Sequence, residues 1–375
     1  WHRVHSINER PPVLRTRTAY GNDEFVRQEV LDSDDDEDEQ IDAAQMQKAH
    51  MNDVPYQRYG HTVVEWAGRA YLWGGRNDEF GASQTVHEFN PVTLEWAALP
   101  VRGSPPPARD GHSAVVHNGV MYLFGGFEEE NQRFSQETFA FDIARRQWHE
   151  LHTTGDKPSW RDFHTATVLG HRMYIFGGRS DLQGEFHSSK DVYDLSLRYL
   201  DLNTHQWHIV PQKADALKPS GRRSHSAWSY NGKMFIFGGF FGGLNKHFDD
   251  LHAFDPETET WTKLSPIGVG PCLRRRQCTV EKDGRVFLFG GTKPKYPNAK
   301  SESPTQPQAL CDLGDLFVLD YCPSLLHLTA THLIKNDLVA RYRYALPRDV
   351  TSEIDNMTMD NEVKSLSQSN RAASG

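Results

Sequence analysis

Cysteine is scarce in this chain, and long apolar runs are missing from it. The four cysteines show neither the spacing of a zinc site nor the density of a disulfide scaffold; they are Cys272, Cys278, Cys311 and Cys322. No apolar run approaches the length of a membrane span. These absences predict a protein without metal, cofactor or membrane association, in a reducing compartment, the cytoplasm or the nucleus.

The composition does not indicate an acidic or basic face on the folded part of the chain. Its net charge is −9, but residues 32–39, "DSDDDEDE", hold seven acids, so the remainder carries only −2. A nucleic-acid surface is therefore not expected. The first residue is Trp1 and not Met, which predicts that the given chain is a fragment or a trimmed product.

The sequence signatures of common enzyme classes are absent. There is no G-x-S-x-G, no P-loop, no H-E-x-x-H and no G-x-G-x-x-G after a strand. With 375 residues, of which 37% are hydrophobic, the chain can still bury a sizeable core. We therefore expect a folded protein that does no chemistry itself.

What the chain does contain is a repeat built on glycine doublets. The doublets stand at 74–75, 125–126, 177–178, 238–239 and 290–291, and their second glycines are 51, 52, 61 and 52 residues apart. Each doublet closes an apolar strand such as "MYLFGG", which follows a two-residue glycine turn and another short strand. This pattern predicts five β-hairpins.

A second sequence motif follows each of the first four doublets. An apolar strand ends in Asn or Asp, and a tryptophan comes six residues later; the pairs are Asn90/Trp96, Asp142/Trp148, Asp201/Trp207 and Asp255/Trp261. Four short strands per roughly 50 residues are typical of a β-propeller blade. The sequence therefore predicts an all-β propeller.

The fifth repeat breaks this phrase. Leu326 stands where a tryptophan should follow Asp320. The missing outer strand is expected from the other end of the chain, where "WHRV" at residues 1–4 has the right character. The alternative is that "WHRV" is the last strand of an extra blade.

A histidine recurs at one position of the repeat, at His61, His112, His164 and His225, and Gln277 takes its place in the fifth repeat. A ring of histidines is one possible metal site. One residue per repeat at a fixed register is, however, what packing between blades produces, and we favour that interpretation.

An arginine stands three residues before each of these positions, at Arg58, Arg109, Arg161, Arg222 and Arg274. One interpretation is that each arginine bonds carbonyl groups of its own or the neighbouring blade. The other is that these arginines, with Arg76, Arg179, Arg223, Arg275 and Arg276, face the mouth of the central channel and attract a carboxylate or phosphate. Nearby aromatics that could wall such a pocket are Tyr59, Trp160, Phe163, Phe240 and Phe241.

These phrases resemble kelch repeats over residues 55–322. The resemblance implies a six-bladed ring, of which five complete blades are visible and the first lies mostly upstream of Trp1. It also implies five regions along the chain. They are an outer strand in 1–10, an acidic disordered insertion at 11–54, the propeller at 55–322, a helical segment at 323–350 and a flexible tail at 351–375.

Within the family, "ARDGHSA", "WRDFHTAT" and "GRRSHSA" are similar to kelch substrate receptors of cullin-2 RING ubiquitin ligases. Such receptors bind C-terminal peptides ending in glycine, which implies a carboxylate pocket made by Arg179 with Arg222, Arg223 and Ser224. Arg76, Arg109, Arg161 and Arg274 are assigned to the same pocket. Gly184 stands where a relative has a second arginine, and the insertion 181–193 beside the site is a candidate lid.

The segment after Pro323 predicts a helix with an apolar stripe. It is similar to a BC box, the motif that docks on elongin C of elongin B/C; the residues assigned to it are Ser324, Leu325, Leu328, Thr329 and Leu333. Thr329 departs from the cysteine of that motif. Further on, Leu346, Pro347 and Asp349 are similar to a cullin-2 box. The alternative is a helix that only packs on the propeller.

The sequence thus predicts a non-catalytic substrate receptor for glycine-ended proteins, whose own end at Gly375 resembles its ligand. One alternative is a kelch scaffold or chromatin-associated protein that binds an internal acidic motif. The other, an oxidase or epimerase propeller, is disfavoured because the sequence contains no redox or metal constellation.

Overall fold

The computed structural model describes residues 2–3, 54–188, 190–211, 217–295 and 309–358. The predicted acidic insertion, apart from Val54, and the residues after Thr358 lie outside this range, as does Gly375. Within the described part, no helix is both long and apolar enough to cross a membrane.

Five antiparallel sheets of four principal strands follow one another along the chain, as the sequence predicted. We call them blades 1 to 5. Blade 1 contains β2 (Tyr59–Trp66), β3 (Arg69–Asn77), β5 (His87–Asn90) and β6 (Glu95–Ala98). Blade 2 contains β9 (Ser113–His117), β10 (Val120–Phe124), β13 (Thr138–Asp142) and β14 (Gln147–Glu150). Blade 3 contains β16 (Thr165–Leu169), β17 (Arg172–Phe176), β20 (Arg198–Asp201) and β21 (Gln206–Ile209).

Blade 4 contains β22 (Ser226–Tyr230), β23 (Lys233–Phe237), β26 (Leu251–Asp255) and β27 (Thr260–Leu264). Blade 5 contains β28 (Cys278–Lys282), β29 (Arg285–Phe289), β32 (Leu316–Asp320) and, from the N-terminus, β1 (His2–Arg3).

Short strands decorate these blades. The outer edges of blades 2 and 3 each carry a parallel strand, β7 (Arg102–Gly103) and β15 (Thr154–Gly155). At the inner ends lie β4 (Gly81–Ala82), β8 (Arg109–Asp110), β11 (Phe127–Glu128), β12 (Arg133–Phe134), β18 (Ser180–Asp181), β19 (Asp191–Val192), β24 (Phe240–Phe241), β25 (Lys246–His247), β30 (Thr292–Pro294) and β31 (Leu310–Asp312). A 3₁₀ turn spans Gly242–Leu244.

The hairpins form where the sequence places turn residues. Asn118 and Gly119 join β9 to β10 with φ values of 50° and 77°, which is the type I′ turn that asparagine and glycine favour. Side chains along each strand alternate between the two faces of its blade, and the facing sides of consecutive blades pack on each other. Four buried apolar clusters result, one between each pair of consecutive blades.

The tryptophans of blades 2, 3 and 4 each fill the interface with the blade before. Trp148 packs on Trp73, Trp207 on Phe124 and Trp261 on Phe176, with ring centroids 5.6, 5.1 and 5.3 Å apart. The aromatic partner is each time the residue before the glycine doublet. The aromatic residues that recur at fixed spacing in the sequence are therefore the ones that pack neighbouring blades together.

In the described part of the chain, blades 5 and 1 show no such packing against each other. Phe289 occupies the aromatic position of blade 5, yet 47% of it is exposed, and Val280 beside it is 63% exposed. Among the described residues, no ring contact joins Phe289 to Trp96 and no buried cluster joins the two blades. We call this boundary the seam.

The outer strand of blade 5 comes from the start of the chain. His2 pairs with Val318 and Arg3 with Phe317, as His149 and Glu150 pair with Ala140 and Phe139 in blade 2. In sequence, Trp1 precedes His2 just as Trp148 precedes His149.

Three helices follow the propeller: α1 (Leu325–Lys335), α2 (Val339–Tyr342) and α3 (Arg348–Thr358), with a 3₁₀ turn at Arg343–Ala345. The Ser324 hydroxyl caps α1 by accepting from the backbone N–H of His327 at 3.1 Å. α1 and α3 enclose a small core around Ala330, Val350 and Ile354. α3 continues to Thr358, so the first eight residues of the range expected as a flexible tail are helical.

Candidate functional site

We call the four residues from the repeated arginine to the histidine position the opening segment of each blade. Four of the five arginines that start these segments are interior residues. Arg109, Arg161, Arg222 and Arg274 are at most 1% exposed. In each one, Nη1 donates to the carbonyl oxygen of the first glycine of its own blade's doublet, at 2.8 to 3.1 Å. Arg58 makes the same bond to Gly74 at 3.2 Å. The arginine recurs because it ties the start of the inner strand to the glycine turn.

Each of the four buried guanidiniums also binds an acid. The partners are Glu128 for Arg109, Asp194 for Arg161, Asp250 for Arg222 and Asp315 for Arg274, at 2.5 to 3.0 Å. Burial lowers the pKa of Arg109 to about 10. The Arg161 guanidinium and the hydrogen bonds from Ser196 outweigh burial and lower the pKa of Asp194. These pairs are structural.

The assignment of these four residues to a ligand pocket is therefore corrected. Arg109, Arg161, Arg222 and Arg274 point into the blade instead of toward the channel mouth. Their N–H groups donate to carbonyl oxygens, to carboxylates and, for Arg109, to the Ser135 hydroxyl. Of the two interpretations of the repeated arginine, bonding to the carbonyls of its own blade describes them.

The repeated histidines connect neighbouring blades. His112 Nε2 lies 2.8 Å from the Thr62 hydroxyl, His164 Nε2 2.7 Å from Ser113, and His225 Nε2 2.8 Å from Thr165. Each hydroxyl belongs to the preceding blade. Burial followed by the charge of the nearby arginine lowers the pKa of His225 to about 3, so the ring is neutral. The geometry agrees with the architectural role predicted for these histidines.

The third residue of each opening segment takes part in a chain of backbone bonds around the axis. Gly111 N donates to Gly60 O, Phe163 N to Gly111 O, Ser224 N to Phe163 O and Arg276 N to Ser224 O, at 2.6 to 2.9 Å. All five residues have positive φ values between 51° and 69°. The five opening segments therefore converge at one end of the inner strands.

A pair of facing residues lies at this end of each blade. The second residue of the opening segment pairs through its backbone with the residue after the glycine doublet. We call these ten residues the rim; they are Tyr59/Arg76, Asp110/Phe127, Asp162/Arg179, Arg223/Phe240 and Arg275/Thr292. Glycine is needed behind the rim because a Cβ at Gly177, whose φ is +68°, would lie 2.4 Å from Arg222 O.

The rim arginines of blades 1 and 3 are neutralised by acids. Arg179 binds Asp162 with two bonds, Nε to Oδ1 at 3.1 Å and Nη2 to Oδ2 at 2.5 Å. Arg76 lies 3.3 Å from Glu129. Both residues were assigned to the pocket from the sequence. The structure places them on the rim, with their charges balanced within the protein.

The rim arginines of blades 4 and 5 have no such acids. The side chains of Arg223, Arg275 and the adjacent Arg276 make no hydrogen bond or ion pair with any other described residue. Arg223 and Arg275 instead lie over the ring of Phe240, with Cζ 5.5 and 4.3 Å from its centroid. Burial, followed by the charges of Arg276 and Arg223, lowers the pKa of Arg275 to about 10. Arg223, Arg275 and Arg276 therefore form a positively charged cluster at the rim.

The insertion of blade 3 borders this cluster. β18 and β19 pair near its two ends, and its last residue, Tyr193, packs edge-on against Phe241 with centroids 5.0 Å apart. Burial raises the pKa of Tyr193, while Arg223 nearby opposes that shift. Ser224 is half-buried and adjoins Arg223 at its turn in the backbone chain. Arg223, Ser224 and the predicted lid segment are thus neighbours.

The helical residues singled out from the sequence fall into two groups. Leu325 is 80% exposed, Leu328 is 37% exposed, and Thr329 is exposed while its hydroxyl donates to Leu325 O. Leu333 and Leu346 instead pack on the core between α1 and α3. Pro347 and Asp349 are exposed at the start of α3. Only part of each predicted motif therefore presents its side chain to solvent.

From the sequence, Arg275 and Arg276 were expected only to add positive charge at the channel mouth, and His247 was not singled out. His247 faces Phe240 across β24 and β25, at 4.7 Å between centroids, and both its ring nitrogens are buried without a partner. Burial and then Arg275 and Arg276 lower its pKa to about 4. Within the described ranges, no group of three or more His, Cys, Asp or Glu could hold a metal ion.

Comparison with known proteins agrees with this architecture. The KLHDC2/KLHL20/DRC7 Kelch-repeats domain family matches residues 60–291. Kelch domain-containing protein 3 of Homo sapiens and that of Rattus norvegicus are each 42% identical over 310 residues, which are 83% of this chain and 79% of theirs. Host cell factor 2 of Homo sapiens is 28% identical over 273 residues, 69% of this chain and 33% of its own. The resemblance predicted from the repeats is confirmed, and the chain belongs to the kelch-repeat family of β-propeller proteins.

Proposed function

We propose that this chain is the substrate-recognition subunit of a cullin-2 RING ubiquitin ligase and binds the C-terminal carboxylate of proteins that end in glycine. Kelch repeats typically form non-catalytic interaction domains, which supports an adaptor role that leaves ubiquitin transfer to partners. The observation that carries the proposal is the unpaired cluster of Arg223, Arg275 and Arg276.

Unpaired guanidiniums on a rim suit an anionic ligand. Arginine binds a carboxylate with two parallel N–H···O bonds, and charge-assisted bonds each contribute about 1.5–3 kcal/mol. Two or three of them contribute about 3–9 kcal/mol before the cost of ordering a peptide end is subtracted. Micromolar binding, near −8 kcal/mol, therefore also needs apolar contacts from the peptide. Ser224 adds a hydroxyl, and Phe241 with Tyr193 adds apolar surface beside the charge.

Arg179 takes part indirectly in this proposal. Because Asp162 accepts bonds from Nε and Nη2 of Arg179 and balances its charge, we assign Arg179 to shaping the potential of the rim. Arg76 has the same role in blade 1. The carboxylate ligands proposed are therefore Arg223 and Arg275, with Arg276 and Ser224 beside them.

A peptide pair tests the ligand. A glycine-ended peptide with a free carboxylate is titrated against its C-terminal amide, and we expect the amide to bind at least tenfold more weakly. Equal binding of acid and amide would overturn the proposal. It would favour a scaffold that binds an internal acidic motif through the same arginines.

The exposed face of α1 supports the ligase part of the proposal. Leu325 and Leu328 present apolar surface that the propeller leaves uncovered, and such surface on a helix suits a partner protein. Elongin B/C is the proposed partner at this face, and cullin-2 with its RING subunit is proposed to contact the segment from Leu346 to Asp349.

Co-purification with elongin B/C tests this second surface. Leu325→Ala should abolish capture because it removes the most exposed apolar side chain of α1. The matched control is Leu244→Ala, which changes a leucine that is 74% exposed on blade 4. Equal capture by both variants and the unchanged chain would contradict the assignment.

The chain's own end is a further proposed ligand. A polypeptide that terminates at Gly375 would present a glycine carboxylate and compete with substrates for its own or a neighbour's rim. Deletion of Gly375 should tighten the measured affinity for a glycine-ended peptide. An unchanged affinity would remove self-capture and leave the substrate proposal intact.

A further inference from the structure

We propose that Phe240 is a positioning residue for anion recognition, because its ring holds Arg223 and Arg275 in place without neutralising their charges. This inference rests on the proposed carboxylate site and identifies what keeps that site available. Guanidiniums on the rim are fixed in two different ways.

The first way is a salt bridge, as in blade 3. Asp162 fixes Arg179 with two bonds, and this carboxylate competes with any incoming anion for the same donors. The second way is an aromatic face. A ring attracts a cation through its quadrupole and leaves the N–H donors free for other acceptors. Blade 4 has phenylalanine opposite the arginine of its rim pair, where blade 3 has arginine opposite aspartate.

Phe240 itself is held rigidly. It is 7% exposed, and its backbone exchanges two hydrogen bonds of 2.9 Å with Arg223. The same two bonds fix the main chain of Arg223 directly beside the ring. The aromatic face and one of the two arginines therefore move as a unit.

His247 supports the ring from the adjoining strand. It packs on Phe240 with an interplanar angle of 52°. Because burial and the neighbouring arginines keep this imidazole neutral, it supplies bulk without another positive charge. A charged side chain here would add to the repulsion already present among three guanidiniums.

The arrangement joins two blades at one ring. Arg223 belongs to blade 4 and Arg275 to blade 5, and both have Cζ within 5.5 Å of the Phe240 centroid. Two like charges this close repel each other, and the aromatic ring offsets part of that repulsion. An anion that reaches both arginines relieves the rest.

The experiment measures the acid-to-amide affinity ratio of the glycine-ended peptide pair for three variants of the whole chain. Phe240→Leu removes the quadrupole and should weaken binding of the acid about five- to tenfold, leaving the amide unchanged. Phe240→Tyr keeps an aromatic face and should retain the ratio. Phe127→Leu changes the equivalent residue of blade 2, which faces Asp110, and should also retain it.

Incorporation of pentafluorophenylalanine at position 240 separates electrostatics from packing. This residue keeps the shape of phenylalanine and reverses the sign of the ring quadrupole. We expect a lower acid-to-amide ratio at an unchanged melting temperature. A normal ratio in a folded, pentafluorinated protein would overturn the role of Phe240, whatever happens to Phe240→Leu. If the unchanged chain shows no preference for the acid, the proposed function fails first.

Discussion

Blade 3 and blade 4 solve the same structural problem in opposite ways at the rim. Both place a residue of the opening segment against the residue after the glycine doublet. In blade 3 this pair is Asp162 with Arg179, and the charges cancel. In blade 4 it is Arg223 with Phe240, and the charge stays available. The difference shows that an arginine of the rim keeps an unbalanced charge only where its neighbours leave it unpaired.

The largest effect is expected from a buried arginine. Arg222→Ala leaves Asp250 partly buried without its partner and removes the bond to Gly238 O. Loss of one partner of a buried pair costs about 3–5 kcal/mol, so the melting temperature should fall sharply. Thermal unfolding checks this. A variant that melts normally and has lost only peptide binding would return Arg222 to the pocket.

The rim arginine next to it should behave in the opposite way. Arg223→Ala removes a guanidinium that has no acidic partner, so stability should change little. Peptide affinity should drop at least tenfold, since one charge-assisted bond of about 1.5 kcal/mol corresponds to that factor. Arg275→Ala should give a similar loss. Calorimetry on the same samples measures affinity and melting, and unfolding of Arg223→Ala would contradict the distinction drawn between Arg222 and Arg223.

The acid of blade 3 offers a gain of function. Asp162→Asn releases Arg179 from its bidentate bond and adds one positive charge to the rim. We expect the carboxylate peptide to bind several-fold more tightly at low salt, with the gain reduced at high salt because screening weakens the interaction. Titration at two ionic strengths checks this. A weaker affinity would mean that Asp162 positions Arg179 for the ligand.

The smallest effect concerns pH. Burial, followed by the charge of Asp162, raises the pKa of Asp110 to about 7, with Glu129 adding to the rise and Arg76 and Arg179 opposing it. The pKa of an aspartate in the unfolded chain is about 3.9. The folded state therefore binds this proton more tightly, and its contribution to stability falls as pH rises from about 4 to about 7.

Asp110→Asn removes that loss. Its stability relative to the unchanged chain should increase across this pH window and stay constant above it. Denaturant unfolding between pH 4 and 8 gives the curve. A difference that does not vary with pH would show that Asp110 is ionised throughout.

Much of the fold was readable because its determinants are local. The glycine doublets, the Asn–Gly turns and the tryptophans six residues after Asn or Asp all lie at fixed spacings, and a fixed spacing reflects one strand-pairing register. The histidine was predicted as architecture for the same reason. Its hydroxyl partner sits at one position in each preceding blade.

The site was harder to predict because charge pairing here is not local. The acids that neutralise Arg109, Arg161, Arg222 and Arg274 lie 19, 33, 28 and 41 residues further along the chain. No constant spacing reveals them, so a paired and a free arginine look alike in the sequence. Arg222 and Arg223 are adjacent in the sequence, and only the fold shows that Arg222 is buried and that Arg223 lies on the rim.

Within the described residues, the seam leaves blades 1 and 5 each without a packed neighbour on one side, as the exposure of Phe289 shows. Each blade of such an array gains stability from the blades that it packs against. Arg275 belongs to an end blade, whereas Arg223 belongs to the blade inside it. A carboxylate that binds both arginines therefore stabilises the packing of blade 5 on blade 4. Binding of the ligand and the stability of this blade interface then increase together.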